Sequence, residues 1–252
     1  MIPAERYQKI RDILIAEKTI SINDLSKRIY VSQSTIRRDI DYLEKSGFLI
    51  RIRGGVSIAS NNNTEYSSFI RTHKEVEKKQ YIAKLVNKYF LKNDLSFFLD
   101  DSTTVSILTN YIKEYSQIVA ITNSIQIASD LNSSMNVKCL LSGGMVKFNT
   151  FSLVGLQVYN FLKSFYVDYL FISCKCLDKS NVYESDKEVA DIKNIMLMNS
   201  KKKVLLVDST KFNRNSFISN YRTTQFDYIV TDKKPSDEFI EYLKPFTKVI
   251  YE

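Results

Sequence analysis

From residue 95 onward, short apolar runs alternate with amphipathic segments, and this alternation limits the possible folds more than any other feature of the chain. The runs Leu95 to Asp100, Ile118 to Thr122, Val137 to Ser142, Tyr169 to Ser173, Val204 to Asp208 and Tyr228 to Thr231 have the length and composition of strands. A helical segment from Val76 to Leu91 precedes them, and Val105 to Tyr115, Ile125 to Leu131, Val154 to Lys163 and Val189 to Met198 lie between them. Strands alternating with helices predict an α/β fold, a mostly parallel sheet covered on both faces. Sheets of this kind hold ligands outside the carboxyl ends of their strands.

Polar residues collect at those ends. The first strand runs into Asp100-Asp101-Ser102-Thr103-Thr104, the second into Thr122-Asn123-Ser124, the third into Ser142-Gly143-Gly144, and a later one into Asp208-Ser209-Thr210-Lys211. Hydroxyls and free amides at a helix amino terminus attract anions, and Lys211 could add a cation. Ordinary helix capping accounts for any one of these loops. Together they predict a site for an anionic, hydroxylated ligand, built from Asp100, Ser102, Thr103, Thr104, Asn123, Gly143, Gly144 and Lys211, and a sugar phosphate fits that description.

The first sixty residues have a different period. Tyr7, Ile10 and Leu14, widened by Ile13, give a first amphipathic helix within Ala4 to Glu17. Ser21 with Asp24 starts a second, short helix carrying Ile22, Leu25 and Ile29, and Tyr30-Val31-Ser32 leaves room only for a tight turn. In the third helix Ile36, Ile40 and Leu43 form the buried stripe, with Ser32 as its cap. Ser34, Arg37, Arg38, Asp41 and Lys45 point outward, with Gln33 and Thr35 at the exposed amino end. Helix, tight turn and helix with such an outer face is the helix-turn-helix arrangement, whose second helix reads base edges in the major groove. After Gly47 the pattern changes to alternation. Phe48 to Arg53 reads as a strand, Gly54-Gly55 as a two-residue turn and Val56 to Ile58 as the returning strand, a wing whose Arg51 and Arg53 can reach phosphates. The expected DNA contacts are Ser32, Gln33, Ser34, Thr35, Arg37, Arg38, Arg51 and Arg53.

Charge agrees with a polyanionic partner. The 252 residues carry a formal net charge of +8, and the window Lys27 to Ile58 holds seven basic against three acidic residues, a net of +4. Residues 59–65 lack periodicity and read as a connection, so the expected domains are 1–59, a linker at 60–68, and 69–252. No run approaches the length of a membrane span and the amino terminus lacks the apolar core of a signal peptide, so the expected location is the cytoplasm, with no membrane partner. Cys139, Cys174 and Cys176 lie in apolar runs and are not expected to form disulfides. With His73 the single histidine, no metal site and no cofactor are expected.

The run Ser34-Thr35-Ile36-Arg37-Arg38-Asp39, followed by Leu43-Glu44, Gly47 and Arg51-Ile52-Arg53-Gly54-Gly55, resembles the winged helix-turn-helix of bacterial regulators of the deoxyribose-operon-repressor (DeoR) type. Arg53 stands where the family usually carries histidine. The resemblance continues from Phe69 to Asp232 in the order Asp-x-x-Thr-Thr, Thr-Asn, Gly-Gly, Val154-Gly155, Asp168 and Asp208-Ser-Thr-Lys-Phe. It implies an effector domain similar to ribose-phosphate isomerases that senses phosphorylated sugars. Ser102, Ser173 and Cys176 stand where that family often has glycine, and an added β-carbon narrows the space beside a ligand. Tyr183 to Glu188 and Asp208 to Arg214 further resemble the lactose phosphotransferase-system repressor branch.

The expectation is therefore a transcription regulator, not an enzyme: a repressor of a sugar-utilisation operon. It would bind double-stranded operator DNA as a homodimer or homotetramer and release it when a phosphorylated sugar binds. Two other readings stand beside it. In one the larger domain only oligomerises; in the other it is a sugar-phosphate isomerase, with Asp100, Asp101, Glu184 or Asp186 offered as the base.

Overall fold

A computed structural model describes residues 1–58, 68–148 and 150–252, apart from the side chain of Phe69. The chain divides into two compact units, Met1–Lys74 and Glu75–Glu252. The expected linker lies outside the described residues except for Ser68. That serine opens a short helix, Ser68–His73, whose Ile70 is buried in the core of the first unit, so the helix belongs to that unit rather than to the second.

In the first unit, helix α1 (Pro3–Glu17) begins on a proline, which suits the first helical position because no partner awaits its missing amide hydrogen. Strand β1 (Thr19–Ser21) leads to α2 (Ile22–Ile29), capped by Ser21 Oγ accepting from the Asp24 amide at 3.0 Å. Tyr30 ends α2 in the left-handed conformation at φ 60°. Helix α3 (Gln33–Lys45) starts on Ser32, whose hydroxyl accepts from the Thr35 amide at 3.3 Å. Strands β2 (Leu49–Ile52) and β3 (Gly55–Ile58) follow, and the sheet order is β1-β3-β2. Ile10, Leu14, Leu25, Ile29, Ile36, Ile40, Leu43, Phe48, Leu49 and Val56 fill the core.

Two details differ from the sequence reading. Strand β1 was not expected, because three residues between helices carry no period; pairing with β3 places Ile20 opposite Val56. The wing turn is Arg53-Gly54 rather than Gly54-Gly55. Gly55 already pairs within β3, and a β-carbon there would stand 2.2 Å from the Ile20 carbonyl oxygen. Its glycine is required by the neighbouring strand, while Gly54, at φ 87°, serves the turn.

The second unit opens with helix Val76–Phe90, here α5 after α4 (Ser68–His73). Strands β4 (Leu95–Leu99), β5 (Ile118–Thr122) and β6 (Val137–Leu141) come next, separated by α6 (Thr109–Ile112) and α7 (Ile125–Leu131). A hairpin of β7 (Met145–Val146) and β8 (Leu153–Val154) leads into α8 (Leu156–Leu162) and β9 (Val167–Ile172). After β10 (Cys176–Leu177), β11 (Asn181–Glu184), α9 (Lys187–Met198), β12 (Ser200–Leu206) and β13 (Ile218–Arg222), the unit ends with β14 (Tyr228–Val230), α10 (Asp237–Leu243) and β15 (Lys248–Ile250). Seven strands form one parallel sheet in the order β15-β14-β12-β9-β4-β5-β6. Each expected strand run lies in it. Alternate residues feed two cores: Phe98, Leu170 and Leu205 pack with Val158, Ile192 and Met196 on one side, while Phe97, Leu99 and Phe171 pack with Ile82, Val86 and Leu108 on the other. A smaller antiparallel sheet, β10-β11-β13, was not foreseen, since its strands are short and half polar.

Chain order explains where a site can form. From β4 the chain steps outward to β5 and β6, then returns to place β9, the middle strand, on the other side of β4. The loops after β4 and β9 therefore diverge at the topological switch point, where α/β sheets open a crevice.

Candidate functional sites

Helix α3 of the first unit presents the expected outer face. Ile36, Ile40 and Leu43 are buried, whereas Ser32, Gln33, Ser34, Arg37 and Arg38 are exposed and Thr35 is half-buried. Among the described residues no ion pair involves Arg37, Arg38 or Arg53. Their charges face solvent on one helix and one turn, an arrangement that fits a polyanion. Arg51 is different. On β2 it shares the face of Leu49, and its guanidinium pairs with Asp41 and, at 3.0 Å, with Glu44, both on α3. It fixes the wing to the helix, so it meets a phosphate only by leaving those carboxylates. Ile50 and Ile52 occupy the opposite, exposed face of β2.

Asp39 completes the helix in a way the sequence reading missed. It lies on the buried side of α3 at 2% exposure and receives Arg6 of α1 through a two-pronged contact, Nε to Oδ2 at 2.7 Å and a terminal nitrogen to Oδ1 at 2.8 Å. The signal was its spacing. Residue 39 falls with 36, 40 and 43 on the apolar stripe, and a carboxylate there needs a partner.

In the second unit the switch-point loops are joined by Asp100. This residue is fully buried; the Ser102 amide donates to its Oδ1 at 3.0 Å and the Ser173 amide to its Oδ2 at 2.9 Å. Lys193 of α9 adds an ion pair at 3.1 Å and donates to Glu184 Oε1 and to the Ser173 carbonyl, each at 2.8 Å. Asp100 thus braces the two loops, both its oxygens taking internal donors. Burial pushes the Glu184 carboxyl up against the pull of Lys193. For Lys193, burial favours the neutral amine, but attraction to Glu184, Asp100 and Asp101 outweighs it and keeps the ammonium charged well above the ordinary lysine range.

The other expected residues divide between the crevice and its frame. Thr103 Oγ1 accepts from the Lys79 ammonium of α5 at 3.1 Å. The Val105 amide donates to Ser102 Oγ at 3.2 Å, and Thr104 is buried. Lys211 reaches back from the turn after β12 and donates to Ser173 Oγ at 3.1 Å and to the Cys174 carbonyl at 2.8 Å. Lysines from two separate elements thereby reach the paired loops. Asn123, after β5, donates to the Leu153 carbonyl at 3.1 Å, and its Oδ1 is buried with no hydrogen-bond partner among the described residues. Gly143 and Gly144, after the edge strand β6, both have positive φ. At Gly144 a β-carbon would come within 2.7 Å of the Val154 carbonyl oxygen and 2.8 Å of Val158, so this glycine serves packing. Neither Lys79 nor Lys193 was singled out from the sequence. Each sits on the apolar stripe of its helix, Lys79 with Ile82, Ala83 and Val86, Lys193 with Val189, Ile192 and Met196, and that misplacement is the signal that could have found them.

The cysteines are free, and burial raises all three thiols, which disfavours the nucleophilic thiolate form. Among the described residues no helix is long and apolar enough to cross a membrane, and no group of His, Cys, Asp or Glu is placed to hold a metal ion.

A winged helix-turn-helix joined in one chain to an α/β unit of this kind defines a DNA-binding transcription regulator. Two family models match: a DeoR-like helix-turn-helix domain over residues 6–62, and a DeoR C terminal sensor domain over residues 74–233. The chain belongs to the DeoR family. It is 30% identical to the HTH-type transcriptional regulator GolR of Listeria innocua serovar 6a, over 93% of this chain and 92% of that protein. It is 24% identical to the glycerol-3-phosphate regulon repressor of Escherichia coli K12, over 95% and 94% of the two chains. Among solved structures, ribose 5-phosphate isomerase A of Methanocaldococcus jannaschii matches 55% of each chain at 14% identity with a TM-score of 0.41, too low a likeness to carry an argument.

Proposed function

We propose that this regulator is a repressor that binds a pseudo-palindromic operator through α3, as a dimer or higher oligomer, and releases it when a phosphorylated sugar enters the crevice between the β4 and β9 loops. The observation that carries the effector half is the pair of lysines. Lys79 donates to the Thr103 hydroxyl, and Lys211 to the Ser173 hydroxyl and the Cys174 carbonyl, with the Asp208 carboxylate 3.8 Å away. A phosphate oxygen is a stronger acceptor for an ammonium than a hydroxyl or a backbone carbonyl, so an incoming phosphate can compete for both lysines. Thr103, Ser102 and the orphaned Asn123 Oδ1 supply partners for sugar hydroxyls. The relative that represses a glycerol-3-phosphate regulon supports the same class of ligand.

One observation favours a second reading, in which the larger unit only assembles the protein. Ser102 Oγ already holds the Val105 amide, a group an anion would otherwise use. A thermal-shift panel of hexose and pentose phosphates separates the two. A ligand at a hundred times its Kd stabilises by about 2.7 kcal/mol, a clear rise in melting temperature for the sensing reading; a flat panel supports assembly alone. Lys211→Ala should weaken the active ligand at least tenfold, because a charge-assisted contact contributes about 1.5 to 3 kcal/mol. Unchanged affinity in that variant would make Lys211 a structural residue.

A further inference from the structure

The hairpin of β7 and β8 exposes an unusual run of apolar side chains. Met145, Phe148 and Leu156 are 64%, 75% and 69% exposed, and Leu141, Val146 and Phe151 are also exposed. They cluster because Met145 pairs with Val154, two residues before Leu156, and because the Lys147 amide donates to the Ser152 carbonyl at 2.9 Å, which closes the hairpin with Phe148 and Phe151 at its tip. Together they leave several hundred Å² of apolar surface, the upper end of what a monomer's largest patch shows and a large part of the ~800 Å² that each partner contributes to a standard interface.

We propose that this hairpin is where a second copy of the chain docks. Charge argues for a copy rather than for a polyanion. Within residues 141–156 Lys147 is the single charged residue, and it pairs with Asp186, so two such faces meet without repulsion although each chain carries a net charge of +8. A two-fold axis brings the same patch together from both sides, as a closed dimer requires. Elements around the crevice hold the hairpin in place. Ser152 Oγ donates to Asp101 in the β4 loop, the Leu153 amide donates to the Asn123 carbonyl at 2.8 Å, and the Ile125 amide to the Phe151 carbonyl at 2.8 Å. Contact between copies is therefore one hydrogen bond away from the loop assigned to the effector.

The inference rests on the assembly part of the proposed function and not on its effector part, so its test uses the full chain without DNA or ligand. Sedimentation equilibrium should give wild type the mass of at least two chains, and Met145→Glu/Phe148→Glu the mass of one, with the circular-dichroism spectrum of the folded chain retained because both side chains are exposed in the single chain. Tyr166→Glu, which changes an exposed aromatic outside the hairpin, should keep the wild-type mass. As a second route, Phe148→Cys should be joined to another chain by a short bis-maleimide at tenfold or higher yield than wild type. A monomeric wild type, including one that instead floats with phosphatidylcholine vesicles, overturns the proposal and the assembly reading together. A charged double variant that stays fully assembled overturns the hairpin assignment alone.

Discussion

The outer face of α3 and the crevice of the second unit are both built around cations, yet they keep them in opposite ways. Arg37 and Arg38 stand in solvent with no ion-pair partner among the described residues. Lys79, Lys193 and Lys211 are each already bonded to oxygens of their own unit. A surface that reads a long polyanion can leave its charges hydrated, because the phosphates supply partners over many contacts at once. A pocket for a small molecule cannot, because a buried ammonium without a partner costs several kcal/mol. A ligand entering such a pocket would have to exchange with internal partners, so substitutions there should disturb folding and binding together.

The largest effect expected from this contrast is at Lys193. Lys193→Met leaves Asp100 and Glu184 buried without their cation, and removing one partner of a buried pair costs about 3 to 5 kcal/mol. Urea titration would show it; a loss under about 1 kcal/mol would mean that water or rearrangement replaces the lysine. The pH dependence has a definite sign. Lys193 has a folded pKa above its ordinary 10.5, so its contribution is complete below that value and is lost as pH rises through the higher one. Glu184, whose folded pKa is also raised, favours folding when protonated. The variant should accordingly recover part of its deficit when melted at about pH 5 instead of pH 8.

On the exposed face, Arg37→Ala or Arg38→Ala should leave melting unchanged and weaken operator binding by about 1 to 3 kcal/mol where the arginine reads a guanine, measured by fluorescence anisotropy on a duplex selected from a random pool. Wild-type affinity in both variants would remove α3 from the groove. A smaller effect sharpens the frame of the second unit. The Ser96 hydroxyl and amide both donate to Asp168 Oδ2, at 2.7 and 2.9 Å, joining β4 to β9 and holding that carboxyl below its ordinary value. Asp168→Asn should cost about 1 kcal/mol at neutral pH. A lowered carboxyl stabilises above its ordinary 3.8 and loses that contribution as pH falls through the folded value, so the two melting curves should converge in acid. Persistence of the full gap at low pH would assign the loss to shape rather than charge.

The smallest effect belongs to Arg51. Its pairs with Asp41 and Glu44 are exposed, and such pairs contribute about 0.2 to 1 kcal/mol. Arg51→Ala should change stability little and weaken DNA less than either α3 arginine, since forming a phosphate contact requires giving up the carboxylates. A loss equal to that of Arg38→Ala would show that the wing arginine releases them fully on DNA.

How far the sequence revealed these features follows from what each one depends on. Period alone placed α3, its cap Ser32 and the apolar stripe, because a solvent-facing helix writes its burial pattern into every third or fourth residue. Alternation likewise gave the strands of the parallel sheet, and the switch-point loops came with them. What stayed hidden depends on pairing between distant segments. Strand β1 exists because Ile20 lies against Val56, and Gly55 is glycine because Ile20 crosses it. The polar loop marked Asp100 as a site candidate; its role as a brace appears only once Ser173 and Lys193 arrive from far along the chain.

The separation of the two faces can be tested in one set of titrations: wild type, Arg37→Ala and Lys211→Ala against the selected duplex, each with and without the sugar phosphate that raises the melting temperature of wild type. Arg37→Ala should lose DNA affinity and keep the full ligand-induced melting shift, whereas Lys211→Ala should bind DNA like wild type and no longer release it at ligand concentrations that release wild type. If Lys211→Ala without ligand loses as much DNA affinity as Arg37→Ala, reading and sensing do not reside in separate units and the account fails.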